Sequence, residues 1–359
     1  MVGIRLVSSG MEQGQPPPKS RRIAAKRWLP AAAGVAVAVA TFVFVLPQVA
    51  SYRDVWDVVS ELSWQWLAVL AAATALNVAT FAPPWMAALP GLGFRQALAM
   101  TQASTALSIV VPGGAAVGIA GSYGMLRSWG FAQRPVATAV TLTGVWNQLA
   151  NLGFPAVALV LLTLSGGRRP LLTTVALIGF AAFVVVLTGF TLALAGDGLA
   201  RGVGDAAARI ASRALRVARR GPVGWDGSAF VRFRHEASAV VRRRWHVLTV
   251  ATIAGHLTVF LILVLCLRAL DVPASEVSAV EAFAAWSLIR ILGVLPLTPG
   301  GIGVVELGLT GLLVGFGGSN AGVVAAVLVY RFLTLVPTLV LGLLAAATWR
   351  RHRPRAQPV

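Results

Sequence analysis

The sequence predicts an all-α, polytopic integral membrane protein, and three observations carry that assignment. Six apolar runs cover residues 29–50, 64–89, 135–164, 170–195, 245–270 and 321–348. Each reaches the roughly 20 helical residues that ~30 Å of hydrocarbon requires. Two Pro-Gly-Gly turns, Pro112-Gly113-Gly114 and Pro299-Gly300-Gly301, interrupt two further apolar stretches, 106–120 and 289–316. Proline and glycine both break helices, and broken backbone is tolerated at membrane depth only where protein or a cavity surrounds it. Finally, the formal net charge of +18 lies almost wholly on arginines between the runs, with Lys19 and Lys26 the only lysines. The expectation is about six full transmembrane helices plus two re-entrant helical hairpins.

Taken in order, residues 1–27 are polar and basic, contain Pro16-Pro17-Pro18, and read as a disordered cytoplasmic tail. The first run follows a basic region like that of a signal peptide. It is too long for such a segment and ends without a small-x-small site, so it reads as an uncleaved anchor. Residues 51–63 carry Asp54, Asp57 and Glu61 against Arg53, as an external loop would. The run 64–89 returns to the cytoplasm, with a kink or end expected at Pro83-Pro84.

Residues 96–126 decide the topology. A full crossing there would export the segment 197–244, whose eleven arginines face four acids. That would contradict the excess of Lys and Arg on cytoplasmic loops. A hairpin that enters from the cytoplasm and turns at Pro112-Gly113-Gly114 keeps Arg127, Arg134 and the arginine-rich segment inside, at the expense of Arg168-Arg169 outside. Asp271, Glu276 and Glu281 then mark a second external loop, and the second hairpin enters from outside. The last run ends at the basic tail with Arg350, Arg351, Arg353 and Arg355. The resulting domain is 28–349, with a basic cytoplasmic loop at 197–244 and a cytoplasmic tail at 350–359. Within the loop, 209–220 reads as a basic amphipathic helix on the inner leaflet.

A shift of 187 residues superposes Pro112, Gly113, Gly114, Val117, Gly124, Leu126 and Gly130 on Pro299, Gly300, Gly301, Val304, Gly311, Leu313 and Gly317. Hairpins entering from opposite faces would make this an inverted repeat, which places a site at the mid-membrane interface. Two unrelated glycine-rich packing faces would give the same matches.

Charges at membrane depth point to the site. Glu306 follows the second turn, Tyr330-Arg331 lies in the last run, and Arg290 precedes Pro299. Each such charge costs roughly 2.5–3.5 kcal/mol on insertion scales, so it pairs or lines a wet path. Glu306 and Arg331 are expected to pair, with Arg290 facing the same cavity; a purely structural pair stays open as the alternative. Half-helices starting near Gly114 and Gly301 would aim free N–H groups at the bilayer middle, an arrangement suited to phosphate. The candidate substrate-binding set is Pro112, Gly113, Gly114, Arg290, Pro299, Gly300, Gly301, Gly303, Glu306 and Arg331.

Gln102, Ser104, Thr105 and Ser108 are the polar residues of the first copy. Asn147, Gln148 and Asn151 cluster between the hairpins, where they line a path or bond between helices. His256 has no second ligand at metal spacing, Cys266 is alone, and no Gly-Lys-Ser/Thr phosphate loop occurs, so no metal or other cofactor is expected. Basic charge between spans favours anionic lipid headgroups as partners over nucleic acid.

The string Pro296-Leu297-Thr298-Pro299-Gly300-Gly301-Ile302-Gly303-Val304-Val305-Glu306, followed by Tyr330-Arg331, resembles the membrane region of lysylphosphatidylglycerol synthases and of flippase-like proteins with that region alone. Val111-Pro112-Gly113-Gly114, continuing to Tyr123 and Met125-Leu126, is similar to the family's first motif. The resemblance implies a region that moves aminoacylated phosphatidylglycerol between leaflets. It transfers Pro299, Gly300, Gly301, Gly303, Glu306 and Arg331 as site residues. The cytosolic aminoacyltransferase domain of bifunctional members has no counterpart in this chain, so no enzyme activity is carried over.

Three functional readings follow. The leading one is a lipid flippase or scramblase for a phospholipid, aminoacylated phospholipid or polyprenyl-linked glycolipid. The others are a scaffold for an envelope-synthesis enzyme and a polyprenyl-phosphate glycosyltransferase. The Ala-, Val-, Arg- and Gly-rich, lysine-poor composition suggests a bacterial inner membrane, with both termini cytoplasmic.

Overall fold

A computed structural model of the protein describes residues 60–110, 114–164, 170–217, 221–293, 301 and 303–349. The first apolar run, Pro112, Gly113, Pro299, Gly300, Arg168-Arg169 and the basic C-terminal tail lie outside the described residues. Within them the chain is helical throughout, with no strand: α1 (Trp64–Thr80), α2 (Ala82–Ala88), α3 (Phe94–Val110), α4 (Gly114–Ser128), α5 (Gln133–Leu164), α6 (Pro170–Ala195), α7 (Asp197–Val217), α8 (Gly227–Ala269), α9 (Ala279–Gly293), α10 (Val304–Phe316) and α11 (Asn320–Thr348). Five stretches, Trp64–Ala88, Gln133–Leu164, Thr173–Ala195, Gly227–Ala269 and Asn320–Thr348, are long and apolar enough to cross a membrane. These are five of the six expected runs.

Proline positions explain where helices continue and where they restart. Phe81 separates α1 from α2, and Pro83-Pro84 fall in the first turn of α2, where the missing N–H groups have no helical partner to lose. The expected kink is therefore a restart, and α2 extends the span to Ala88. Pro155 and Pro337 sit inside α5 and α11 without ending them.

Among the described residues of the segment 197–244, two helices account for all but 221–226. α7 occupies 21 residues of it, more than the short amphipathic helix expected. Its second half forms the beginning of α8, a single helix of 43 residues. At 1.5 Å per residue α8 measures about 65 Å, twice the hydrocarbon thickness. Its apolar portion begins at Trp245, after Arg242-Arg243-Arg244, so its arginine-rich half extends beyond the span. Asp226 caps it, its carboxylate accepting the Ser228 N–H at 3.0 Å.

The 187-residue repeat extends into the element boundaries. Gln133, the first residue of α5, shifts onto Asn320, the first residue of α11. Both half-helices end in the same motif. The Phe131 N–H donates to Leu126 O and the Gly130 N–H to Arg127 O, while the Gly318 N–H donates to Leu313 O and the Gly317 N–H to Val314 O. This is the Schellman closure, and it needs a left-handed residue at Gly130 (φ 94°) and Gly317 (φ 122°). Packing is reciprocal as well: α5 lies on α9 and α11 lies on α3, so the third helix of each copy covers the first helix of the other. Two unrelated glycine faces would not reproduce helix starts, helix ends and partner exchange together.

Close backbone approach sets the α3–α4 pair. A Cβ on Gly114 would fall 2.0 Å from Ser108 O, and one on Gly118 would fall 1.9 Å from Ser108 Oγ and 2.7 Å from Ser104 O. α11 meets α3 in the same way, since a Cβ on Gly342 would lie 2.7 Å from Gln102 O. The largest buried cluster joins Phe154, Ile262, Leu263, Leu267, Trp286, Leu309 and Leu313 around the second copy. A second gathers Leu89, Met100, Leu126, Trp129, Leu142 and Leu248 around the first.

Candidate functional site

The strongest polar constellation lies inside the larger cluster, where α5, α8, α9, α10 and α11 meet. Gly303, with φ 83°, turns the chain into α10. Its N–H donates to Glu306 Oε2 at 2.6 Å. The other carboxylate oxygen, Oε1, accepts from Arg331 Nε of α11, and the two side chains are 8% and 12% exposed. The expected pair therefore forms. Glu306 also supplies the negative charge that a helix N-terminus attracts, so the start of α10 holds an anion of its own.

Arg290, in the last turn of α9, has different partners. Its Nε and Nη2 donate to Asn151 Oδ1 of α5 at 3.0 and 2.9 Å. Nη2 also lies 2.7 Å from His256 Nδ1 of α8. A guanidinium can only donate, so Nδ1 must accept, which fixes His256 as the neutral imidazole with its proton on Nε2. The guanidinium carbon stands 4.9 Å from the centre of the Trp286 ring, within cation–π range. Among the described residues no carboxylate lies within ion-pair distance of Arg290. Within these residues its positive charge is held in place by neutral groups and has no counter-ion.

Arg290 and Arg331 line one cavity of about 230 Å³, together with Asn151, Tyr330 and the apolar side chains of Trp286, Ile289, Val305 and Leu309. With liquid water at ~30 Å³ per molecule, that volume takes a headgroup-sized anion. It is below the ~300–1,000 Å³ that houses a whole drug-sized ligand. Lipid tails would have to remain outside.

The arrangement belongs to the second copy alone. The shift of 187 brings Ala103, Ile119 and Gly144 onto Arg290, Glu306 and Arg331, so the first copy has no charge at any of the three positions. Its hydroxyls bond their own helix: Ser104 to Thr101 O at 3.1 Å, and Ser108 to Ser104 O at 2.9 Å. Gln102 is an exception, with both amide atoms buried and without a partner among the described residues.

The profile of the lysylphosphatidylglycerol synthase TM region matches residues 31–342. The chain belongs to this family. No curated protein sequence matches the chain. Together with the apolar helices, membership in the lysylphosphatidylglycerol synthase TM family marks a membrane-embedded, multi-pass, lipid-related protein.

Of the candidate residues in this family member, Arg290 and Arg331 share the cavity wall, Glu306 stands behind it on Arg331, and Gly303 supplies the amide that fixes Glu306. Gly301, at φ 68°, lies in the turn before α10, and Gly114 packs against α3 rather than in the cavity. Pro112, Gly113, Pro299 and Gly300 lie outside the described residues. Asn151, anticipated only as a path or packing residue, is the principal acceptor for Arg290. His256, 34 positions away, has no local signal as an Arg290 partner, whereas Trp286 has one: it stands four residues before Arg290 on α9, the spacing that puts both side chains on one face. Among the described residues no group of three metal-ligating side chains forms.

Proposed function

We propose that the protein moves a lipid with an anionic or phosphate-bearing headgroup between the leaflets of a bacterial inner membrane. The observation that carries this reading is the Arg290 guanidinium, uncompensated by any described carboxylate and facing a headgroup-sized cavity. An anion entering there gains a charge-assisted contact in a low-dielectric setting, where it is worth far more than in water. Tails gain nothing by leaving lipid, so the headgroup alone has to be carried. The half-helices α4 and α10, read as inner ends of re-entrant hairpins from opposite faces, would thin the barrier on each side of that cavity. The repeated boundaries and reciprocal packing support this topology, and cytoplasmic termini complete it.

Transport is favoured over glycosyl transfer because both oxygens of Glu306 are engaged by Arg331 and Gly303. Among the described residues no carboxylate lines the cavity to serve as an acid or base. The exposed, arginine-rich α7 gives the scaffold reading its only specific support.

The test is translocation of labelled phosphatidylglycerol, aminoacylated phosphatidylglycerol and polyprenyl phosphate in proteoliposomes. Arg290→Gln should abolish headgroup-dependent movement in a protein that remains folded, and Arg290→Lys should recover part of it. Movement unchanged by Arg290→Gln, or no movement of any lipid above protein-free vesicles, would remove the basis for the proposal. Cysteine labelling that places Ser128 outside the cell would overturn the topology.

A further inference from the structure

A second cavity, open and much larger at about 850 Å³, lies between the start of α5, α6, α7 and the arginine-rich half of α8. Its walls are largely apolar, with Val186, Gly189, Phe190 and Ala193 of α6 facing Phe230 and Phe233 of α8. Trp225, 39% exposed, stands at its margin. The charged lining residues are Arg134, Arg232, His235 and Glu236. His235 leans on Asp197 at 3.4 Å. Arg232 donates one N–H to Ser228 Oγ at 2.8 Å and lies close enough to Asp226 to act on its carboxylate. Arg134 is exposed at the N-terminal turn of α5, where unpaired backbone N–H groups add positive potential. Within the lining two arginines thus stand against the single acid Glu236, with Asp226 close to Arg232 just outside it.

We propose that this groove holds one anionic phospholipid, its tail along α6 and its phosphate between Arg134 and Arg232. Inside a bilayer an apolar wall does not select a tail, because lipid is as apolar as the wall. Selection has to come from charge at the rim, and here the rim is cationic. An aromatic residue at the margin, such as Trp225, is typical of the headgroup level. The groove shares no residue with the Arg290 cavity. Arg134 and Asn151 are separated by 17 positions on α5, about 26 Å at 1.5 Å per residue. The lipid held here is a resident of one leaflet, separate from the headgroup cavity, and the inference stands without the transport reading.

The test uses the full-length protein in phosphatidylcholine vesicles doped with phosphatidylglycerol or phosphatidylcholine carrying a photoreactive tail, with adducts mapped by peptide mass spectrometry. Phosphatidylglycerol should label α6 and α8 around Phe190 and Phe233 well above phosphatidylcholine. Replacing Arg134 and Arg232 by Gln should lower that preference by about fivefold per arginine, the factor for one basic residue at an anionic surface. Gly189→Leu should suppress labelling by either lipid, since the space around Gly189 is open and a side chain there occupies the groove. Arg290→Gln should leave the labelling intact. Equal labelling by the two lipids, adducts confined to other helices, or displacement by excess inorganic phosphate would overturn the proposal. So would loss of labelling in Arg290→Gln, which would merge the groove with the headgroup cavity.

Discussion

Replacing Arg331 by Met should be more damaging than removing the whole ion pair. The single change leaves the Glu306 carboxylate, 8% exposed, with only the Gly303 N–H and the start of α10 to stabilise it. Breaking a buried pair from one side costs about 3–5 kcal/mol. The helix terminus already acts on Glu306 in the parent and offsets none of that loss. The double variant Glu306→Gln/Arg331→Met carries no buried charge, and replacing whole buried pairs by neutral groups is often close to neutral. A double-mutant cycle on the folded protein in detergent, read by denaturation with a sodium dodecyl sulfate gradient, gives the coupling. Neutral interhelical hydrogen bonds in a membrane protein reach only about 1.7 kcal/mol in such cycles. A coupling of about 2 kcal/mol or more, with the double variant more stable than Arg331→Met alone, is the expected result. Additive single effects would refute the reasoning and reduce the pair to an incidental contact.

Three further outcomes follow from the geometry. Gly118→Leu should separate α3 from α4, an overpacked contact costing at least the ~1–3 kcal/mol of an ordinary core insertion; Gly124→Ala, with open space around it, should leave the melting temperature unchanged. Gly130→Ala should destabilise by about 1 kcal/mol because it forces an L side chain to positive φ in open space, and Gly317→Ala by more, since its Cβ would also press on Glu276 O at 3.3 Å; no destabilisation at either would undo the reading of both ends as Schellman closures. Hydrogen bonds from the Ser228 side chain and backbone hold the Asp226 carboxyl below the usual carboxylate range. Its capping contribution is therefore complete above the ordinary aspartate pKa and is lost as pH falls through the lower folded value. Protection factors of the amides in the first turn of α8, taken against their intrinsic exchange rates at each pH, should fall on acidification there, and Asp226→Asn should remove that pH dependence.

Much of the site was legible in the sequence because charge is conspicuous in hydrocarbon. Arg290, Glu306 and Arg331 stood out among apolar neighbours, and the expected Glu306–Arg331 pair is present. The partners of Arg290 were not legible: Asn151 and His256 reach it from 139 and 34 positions away. Only the packing of α5 and α8 against α9 determines that they arrive together. Gly114 is read from its motif as a ligand-facing helix end, and its described contacts add a packing reason for glycine, a close approach to the Ser108 backbone.

The sequence by itself determined that this is a helical membrane protein, where most spans run, and that its two halves echo one another. Apolar length, helix-breaking turns and a fixed shift are properties of the chain read locally, and hydrocarbon enforces them strongly. Tertiary structure alone decided how the halves exchange partners, α5 onto α9 and α11 onto α3. It also decided that Arg290 is held by neutral groups while Arg331 is neutralised. That difference depends on which distant side chains converge across helix interfaces. Periodicity within one helix specifies the face it turns inward, and does not specify the helix it meets.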